Sequence, residues 1–163
     1  MTIKELPPNV RISFRLADPT AAATVGLMLP TRIGARSVAG GRDLLRLGPD
    51  EWAIEVPEGD GDALKSKLAE LATRAPLSAV EVSDRDITFG LSGSSVLDLL
   101  ATGCPLDLAR MPVGSGTRTV FDTVQVILTR DADDRFRLVV WRSFAPHVRA
   151  LLAAAANELA AGL

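Results

Sequence analysis

Apolar residues along the chain switch repeatedly between two periods, and the switches mark its elements. Val10, Ile12, Phe14 and Leu16 alternate with other residues at every second position, the pattern of a half-buried strand. Asp18-Pro19-Thr20 offers a side-chain cap followed by a residue suited to a first helical turn, so Ala21 to Leu29 is expected to be a short helix ended by Pro30. Residues 1–9, with Pro7-Pro8, are expected to form an N-terminal arm. Residues 30–42, which include Gly34, Gly40 and Gly41, are expected to form a loop. Leu45 and Leu47, then Trp52, Ile54 and Val56, flank Gly48-Pro49-Asp50-Glu51 as a hairpin, with proline at the second turn position where its fixed φ is already correct. Leu64, Leu68 and Leu71 recur at spacings of four and three, so a helix capped by Asp60 or Asp62 buries one face and ends at Pro76.

The second half repeats the scheme. Val80 and Val82 precede a turn at Ser83-Asp84-Arg85-Asp86, and Ile87, Phe89 and Leu91 follow it as a strand. Ser92-Gly93-Ser94-Ser95 is a helix-start signal for the stripe Val96, Leu97, Leu99, Leu100, which stops at Gly103-Cys104-Pro105. Gly114-Ser115-Gly116 reads as a loop. Val120 to Arg130 and Arg135 to Trp141 form a hairpin around Asp131–Asp134. Ser143 is placed to cap a last helix with the stripe Phe144, Val148, Leu151, Leu152, Ala155 and Leu159. Regrouped, residues 10–82 give β-α-β-β-α-β, a ferredoxin-like unit, and residues 86–161 give the same unit without its last strand. The expected fold is α+β, one domain over 10–163 built from two related halves, about 10–83 and 84–163.

Composition narrows the function. The 163 residues are 47% apolar with a net charge of −2 and only 4% aromatic. Without a basic block or a stacking platform, the chain is not expected to bind nucleic acid. The N-terminus has no apolar stretch of the signal-peptide kind, and the longest apolar run, Ala150–Ala156, is far too short to span a bilayer. One cysteine excludes an internal disulfide and a multi-cysteine metal site, and fits a reducing cytoplasm.

Candidate chemistry is sparse. His147 is the only histidine, so any triad or Cys-His pair must use it, and an exposed structural role is the plainer reading. Cys104 before Pro105 reads as a buried structural thiol. Asp131, Asp133 and Asp134 suggest a calcium loop, but the required Gly and closing Glu are replaced by Phe136 and Arg142, which leaves a solvated turn. Gly114-Ser115-Gly116 does not join a strand to a helix as a phosphate loop must. Trp52 and Trp141 are core residues or interface anchors, and Arg142 and Phe144 adjoin Trp141 in the same candidate patch.

Several stretches in order resemble the gamma subunits of heterotetrameric sarcosine oxidase, within the wider aminomethyltransferase-like group related to the glycine-cleavage T-protein. They are Leu47-Gly-Pro-Asp-Glu-Trp52, Val82-Ser-Asp-Arg85, Leu91-Ser-Gly93 with Val96-Leu97, Cys104-Pro-Leu-Asp-Leu108 and Trp141-Arg-Ser-Phe144. The resemblance implies an aminomethyltransferase-like, folate-binding-type fold. It implies a non-catalytic structural subunit of a cytoplasmic complex that oxidises sarcosine to glycine and passes the one-carbon unit to tetrahydrofolate. It further implies alpha, beta and delta partner subunits that hold FAD, FMN, NAD, zinc and tetrahydrofolate, with no cofactor, metal or catalytic residue in this chain. The alternative is a free-standing folate-binding module, for which Asp86 and Asp98 are the carboxylates on offer.

Overall fold

The structure, a computed structural model, describes residues 1–162. Among them the strands are β1 (Thr2–Glu5), β2 (Val10–Leu16), β3 (Arg36–Ala39), β4 (Arg42–Arg46), β5 (Glu51–Val56), β6 (Leu77–Glu81), β7 (Asp86–Ser92), β8 (Ser115–Phe121), β9 (Val124–Ala132) and β10 (Arg135–Trp141). The α-helices are α1 (Gly61–Ala72), α2 (Val96–Ala101) and α3 (Ala145–Ala161). The chain divides into two compact units, Pro8–Ser83 and Met1–Pro7 together with the residues from Asp84 onward.

In the unit Pro8–Ser83 the sheet order is β3-β4-β5-β2-β6, antiparallel throughout. The alternation at Val10, Ile12, Phe14 and Leu16 places β2 between β5 and β6, with Phe14 opposite Trp52 and Ile12 opposite Ile54. All these side chains are buried, and Leu64, Leu68 and Leu71 of α1 close over them. The segment after β2 forms a 3-10 helix, Pro19–Val25, rather than an α-helix to Leu29. Asp18 caps it, accepting from the Thr20 backbone N–H at 2.9 Å and from the Thr20 hydroxyl at 2.6 Å. Residues 30–42 are not all loop. Arg36–Ala39 pairs with β4 through a two-residue turn in which Gly40 and Gly41 have φ of +57° and +76°. That is the hairpin turn whose backbone twist glycine permits at both positions.

In the other unit the sheet order is β1-β7-β10-β9-β8. The half spanning 86–161 lacks its last strand in sequence, and the N-terminus supplies one. Thr2–Glu5, read as part of an arm, pairs antiparallel with Ser92–Phe89 of β7. The stretch Val120–Arg130 is not one strand. It bends at Asp122-Thr123, with Asp122 at φ +55°, and splits into β8 and β9. The core joins Phe89, Leu91, Leu99, Leu128, Phe136, Leu138, Val148 and Leu152. The last helix starts at Ala145 after a 3-10 turn at Arg142–Phe144, and Ser143 makes no cap bond. Phe144 consequently lies outside the buried stripe. The fold is α+β, with helices over antiparallel sheets. No helix among the described residues is long and apolar enough to cross a membrane.

Candidate functional site

Of the four candidate anchors, Trp52 is a core residue. It is fully buried, its indole N–H donates to the Pro30 carbonyl at 3.1 Å, and its ring lies 6.1 Å from Phe14. The reason is register: β5 is an inner strand, and Trp52 shares the inward face with Ile54 and Val56. Trp52 therefore presents no surface to a partner, and its expected role as an interface anchor is corrected to a structural one.

Trp141, Arg142 and Phe144 lie at the end of β10, and their side chains are exposed. Trp141 is 45% and Phe144 44% exposed, with ring centroids 6.3 Å apart. Two stretches far apart in sequence meet here. The Arg142 backbone N–H donates to the Arg85 carbonyl at 2.6 Å, and its Nε donates to the Asp84 carbonyl at 2.8 Å. The Arg85 guanidinium stands 5.4 Å from the centroid of the Trp141 ring, a cation–π arrangement, while it also donates to the Asp86 carboxylate at 2.8 Å. Beside this patch a surface groove of about 670 Å³ runs between β1 and α3, lined by Glu5, Ile87, Arg142, Pro146, Arg149 and Ala150 among others. Arg149 bridges to Glu5 across 144 residues of sequence, a pairing without any local signal.

The remaining candidates do not converge. His147 Nε2 lies 3.3 Å from Asp122 Oδ2 on open surface. The Thr123 backbone N–H, with the His147 ring and the Thr123 hydroxyl, holds the Asp122 carboxyl below the usual carboxylate range. Cys104 is buried, its sulfur 3.9 Å from the Thr119 hydroxyl. Asp131 pairs with Arg137 and Asp133 with Arg130, and no group of three metal-ligating side chains occurs among the described residues. Ser115 and Gly116 begin β8 and lead to no helix. Of the two carboxylates on offer for a pterin, Asp98 is exposed on α2, whereas the Asp86 side chain is buried against Arg85.

One residue that sequence reasoning missed is Arg130, buried on β9. Its guanidinium donates to the carbonyls of Leu108, Ala109, Met111, Ala132 and Asp133 and lies 5.4 Å from the Phe136 ring centroid. Its signal in the sequence is phase: Arg130 continues the alternation Val124, Val126, Leu128, which puts a charged residue on the buried face of the strand.

Trp141, Phe144 and the groove beside them thus form one exposed patch of the β1-containing unit, and the remaining candidates lie apart from it. The "Sarcosine oxidase, gamma subunit family" matches residues 15–158. The chain is 29% identical to the sarcosine oxidase subunit gamma of Arthrobacter sp. over 98% of this chain and 82% of that protein. A solved structure of heterotetrameric sarcosine oxidase from Corynebacterium sp. U-96, in complex with pyrrole 2-carboxylate, contains a chain that superposes with a TM-score of 0.87 at 25% identity, covering 96% of this chain and 84% of that one. The glycine cleavage system aminomethyltransferase T from Bartonella henselae shares the fold, with a TM-score of 0.66 at 16% identity over 92% of this chain and 44% of that one. With nearly the whole length of both units inside the match, the chain belongs to the sarcosine oxidase gamma subunit family.

Proposed function

We propose that this chain is a non-catalytic structural subunit of a cytoplasmic heterotetrameric sarcosine oxidase. In this reading the complex demethylates sarcosine oxidatively to glycine and passes the one-carbon unit to tetrahydrofolate. Alpha, beta and delta subunits hold FAD, FMN, NAD, zinc and tetrahydrofolate, and the isolated chain has no activity. The observation that carries the reading is the near-complete superposition on a chain of a heterotetrameric enzyme. The exposed Trp141-Phe144 pair supports it, because half-exposed aromatic rings, here with Arg85 over the Trp141 face, are the side chains that bury large area on association.

The experiment is co-expression of this chain with the three other subunits and purification through a tag on the largest. The chain is expected to co-purify in stoichiometric amount. Trp141→Ala and Arg142→Ala should each weaken its retention by about thirtyfold, the effect of losing an anchor of about 2 kcal/mol. Recovery of a complete, active enzyme without this chain would end the structural reading. A His147→Gln or Cys104→Ser complex that assembles but no longer turns over sarcosine would end the non-catalytic one.

A further inference from the structure

The sheet of the unit that contains β1 carries, on the face opposite its core, a second cavity that no part of the reading above uses. It has a volume of about 540 Å³. Cross-strand register sets its floor. Lys4 lies opposite Gly90, and Gly90 lies opposite Arg137, so one row across β1, β7 and β10 reads Lys-Gly-Arg. The next row reads Thr2, Ser92, Arg135. Leu91 and Phe136, one residue out of phase, point into the core, so both rows share the outer face. Directly opposite residues are separated by about 5 Å at Cβ. Two cations therefore flank a strand position that has no side chain, and a third cation flanks the Ser92 hydroxyl.

The charges are not equally engaged. Arg137 is bound to Asp131, its Nε 3.1 Å from Oδ2. Lys4 and Arg135 have no ion-pair partner among the described residues, and the partly buried Ser92 hydroxyl has no hydrogen-bond partner there. Arg135 sits where the β9–β10 register shifts, a bulge that turns a side chain out of the regular ladder. One wall is apolar: a Cβ on Gly90 would come within 2.9 Å of Leu6 Cδ2, so the Leu6 side chain lies directly over the glycine. The cavity thus pairs two uncommitted cations and a hydroxyl donor with a short hydrocarbon wall. The volume lies in the range of small-molecule sites.

We infer that this cavity binds a small organic carboxylate, its oxygens held by Lys4, Arg135 and the Ser92 hydroxyl and its hydrocarbon part lying against Leu6. Arginine's planar donors match a carboxylate, and charge-assisted hydrogen bonds are about twice as strong as neutral ones. Asp134, which also lines the cavity, disfavours a dianion such as phosphate and selects for lower charge. The inference is independent of the partner surface at Trp141, since none of that surface's residues lines this cavity.

The test is calorimetric titration of the purified full chain with butyrate and, separately, with inorganic phosphate at low ionic strength. Butyrate is expected to bind saturably with a Kd near or below about 1 mM. Lys4→Gln and Arg135→Gln should each weaken it by at least about tenfold, the loss of one charge-assisted bond, and Ser92→Ala by a smaller factor. Arg74→Gln, a surface charge in the other unit, should leave it unchanged. Lys4, Arg74 and Arg135 are exposed, so their substitutions are expected to preserve the unfolding midpoint, and loss of binding in Lys4→Gln or Arg135→Gln reads the cavity rather than the fold. No saturable butyrate binding overturns the inference. So does phosphate binding more tightly than butyrate, or Arg74→Gln weakening butyrate as much as Arg135→Gln.

Discussion

Replacing Arg130 tests how the core of the β1-containing unit is held at its polar end. The guanidinium offers five N–H donors in a fixed fork. One end reaches the 3-10 turn Leu108–Arg110 and the Met111 that follows it, with Nη1 at 3.2 Å from the Leu108 carbonyl and 2.7 Å from that of Met111. The other end reaches the hairpin turn, with Nη2 at 3.1 Å from the Asp133 carbonyl and Nε at 3.3 Å from that of Ala132. The same side chain therefore joins the exit of α2 to the β9–β10 turn. In Arg130→Met the bonds to the turn are replaced by water, since those groups are partly exposed. The Leu108 carbonyl cannot rehydrate fully, because its bond is buried. Leaving it unsatisfied costs about 1–3 kcal/mol, and losing the short charge-assisted bond to Met111 costs about 1.5–3 kcal/mol. The exposed Asp133 carboxylate at 3.5 Å adds little. Methionine avoids the cost of burying a charge, so the net expectation is a loss of about 3 kcal/mol.

With a urea m-value of about 2 kcal/mol/M for a chain of this size, the unfolding midpoint should fall by about 1.5 M. Arg130→Lys is the informative control. Lysine restores the charge, but a point ammonium cannot span both carbonyl groups, so it should recover less than half of the loss. A lysine variant with the wild-type midpoint would refute the fork argument, and a methionine variant within about 0.5 kcal/mol of wild type would refute the whole account.

Leu68→Ala should lose about 2–5 kcal/mol in a denaturant titration, because Leu68 is buried in the α1 stripe; an unchanged midpoint would mean that the helix does not pack as described. Trp52→Ala should lower the stability of the free chain by about 3–5 kcal/mol, and assembly only in proportion to the unfolded fraction, the reverse of the pattern expected at Trp141. Gly103→Ala should cost about 1–3 kcal/mol, since a Cβ there would lie 2.9 Å from Phe121 Cε2 and 3.0 Å from the Asp122 backbone nitrogen; a gain in thermal midpoint would contradict that crowding. Asp18 and Glu81 have carboxyl pKa values lowered in the fold, Asp18 first by the Thr20 hydroxyl and Glu81 first by Lys65. Their stabilisation is therefore present above the unfolded carboxylate pKa of about 4 and is lost as pH falls through the lower folded values. Asp18→Asn should flatten that acid limb of the stability curve, measured by thermal midpoint against pH.

The sequence was legible where a local period reports burial. Val10 to Leu16 and Leu64 to Leu71 bury the residues their spacing selects, because one buried face is enough to fix a register. The same logic failed at three places, each for a physical reason. Gly40-Gly41 suits a loop, but a glycine pair also suits a two-residue hairpin turn; the flanking Arg36–Ala39 is too exposed to alternate. The turn at Asp122-Thr123 carries no glycine, and aspartate tolerates the left-handed region well enough to hide a hairpin inside an apolar run. Trp52 was ambiguous because an indole suits a core and an interface equally, and only the position of β5 inside its sheet decides.

The N-terminal strand marks the deeper limit. Thr2–Glu5 is mostly exposed, so no hydrophobic period announces it, and only Ile3 leans on the core. What positions it is the sheet itself. The half from Asp86 to Ala161 ends in a helix, which leaves the β7 edge without its last strand. Pro7-Pro8 stops the pairing after Leu6 donates its backbone N–H to Thr88 at 2.9 Å. Glycine at 90 and 93 lets the incoming chain approach closely, for a Cβ at Gly93 would lie 2.9 Å from the Met1 Cα. What positions β1 is therefore the open edge and clearance of β7, about 85 residues downstream, rather than the four residues that fill it. The same four residues carry Lys4 and Glu5, one to each of the two cavities, so a deletion of residues 2–5 should unsettle both. It removes Lys4 from the carboxylate clamp and Glu5 from its bridge to Arg149. A deletion variant that keeps its stability, its butyrate affinity and its assembly unchanged would show β1 to be dispensable packing.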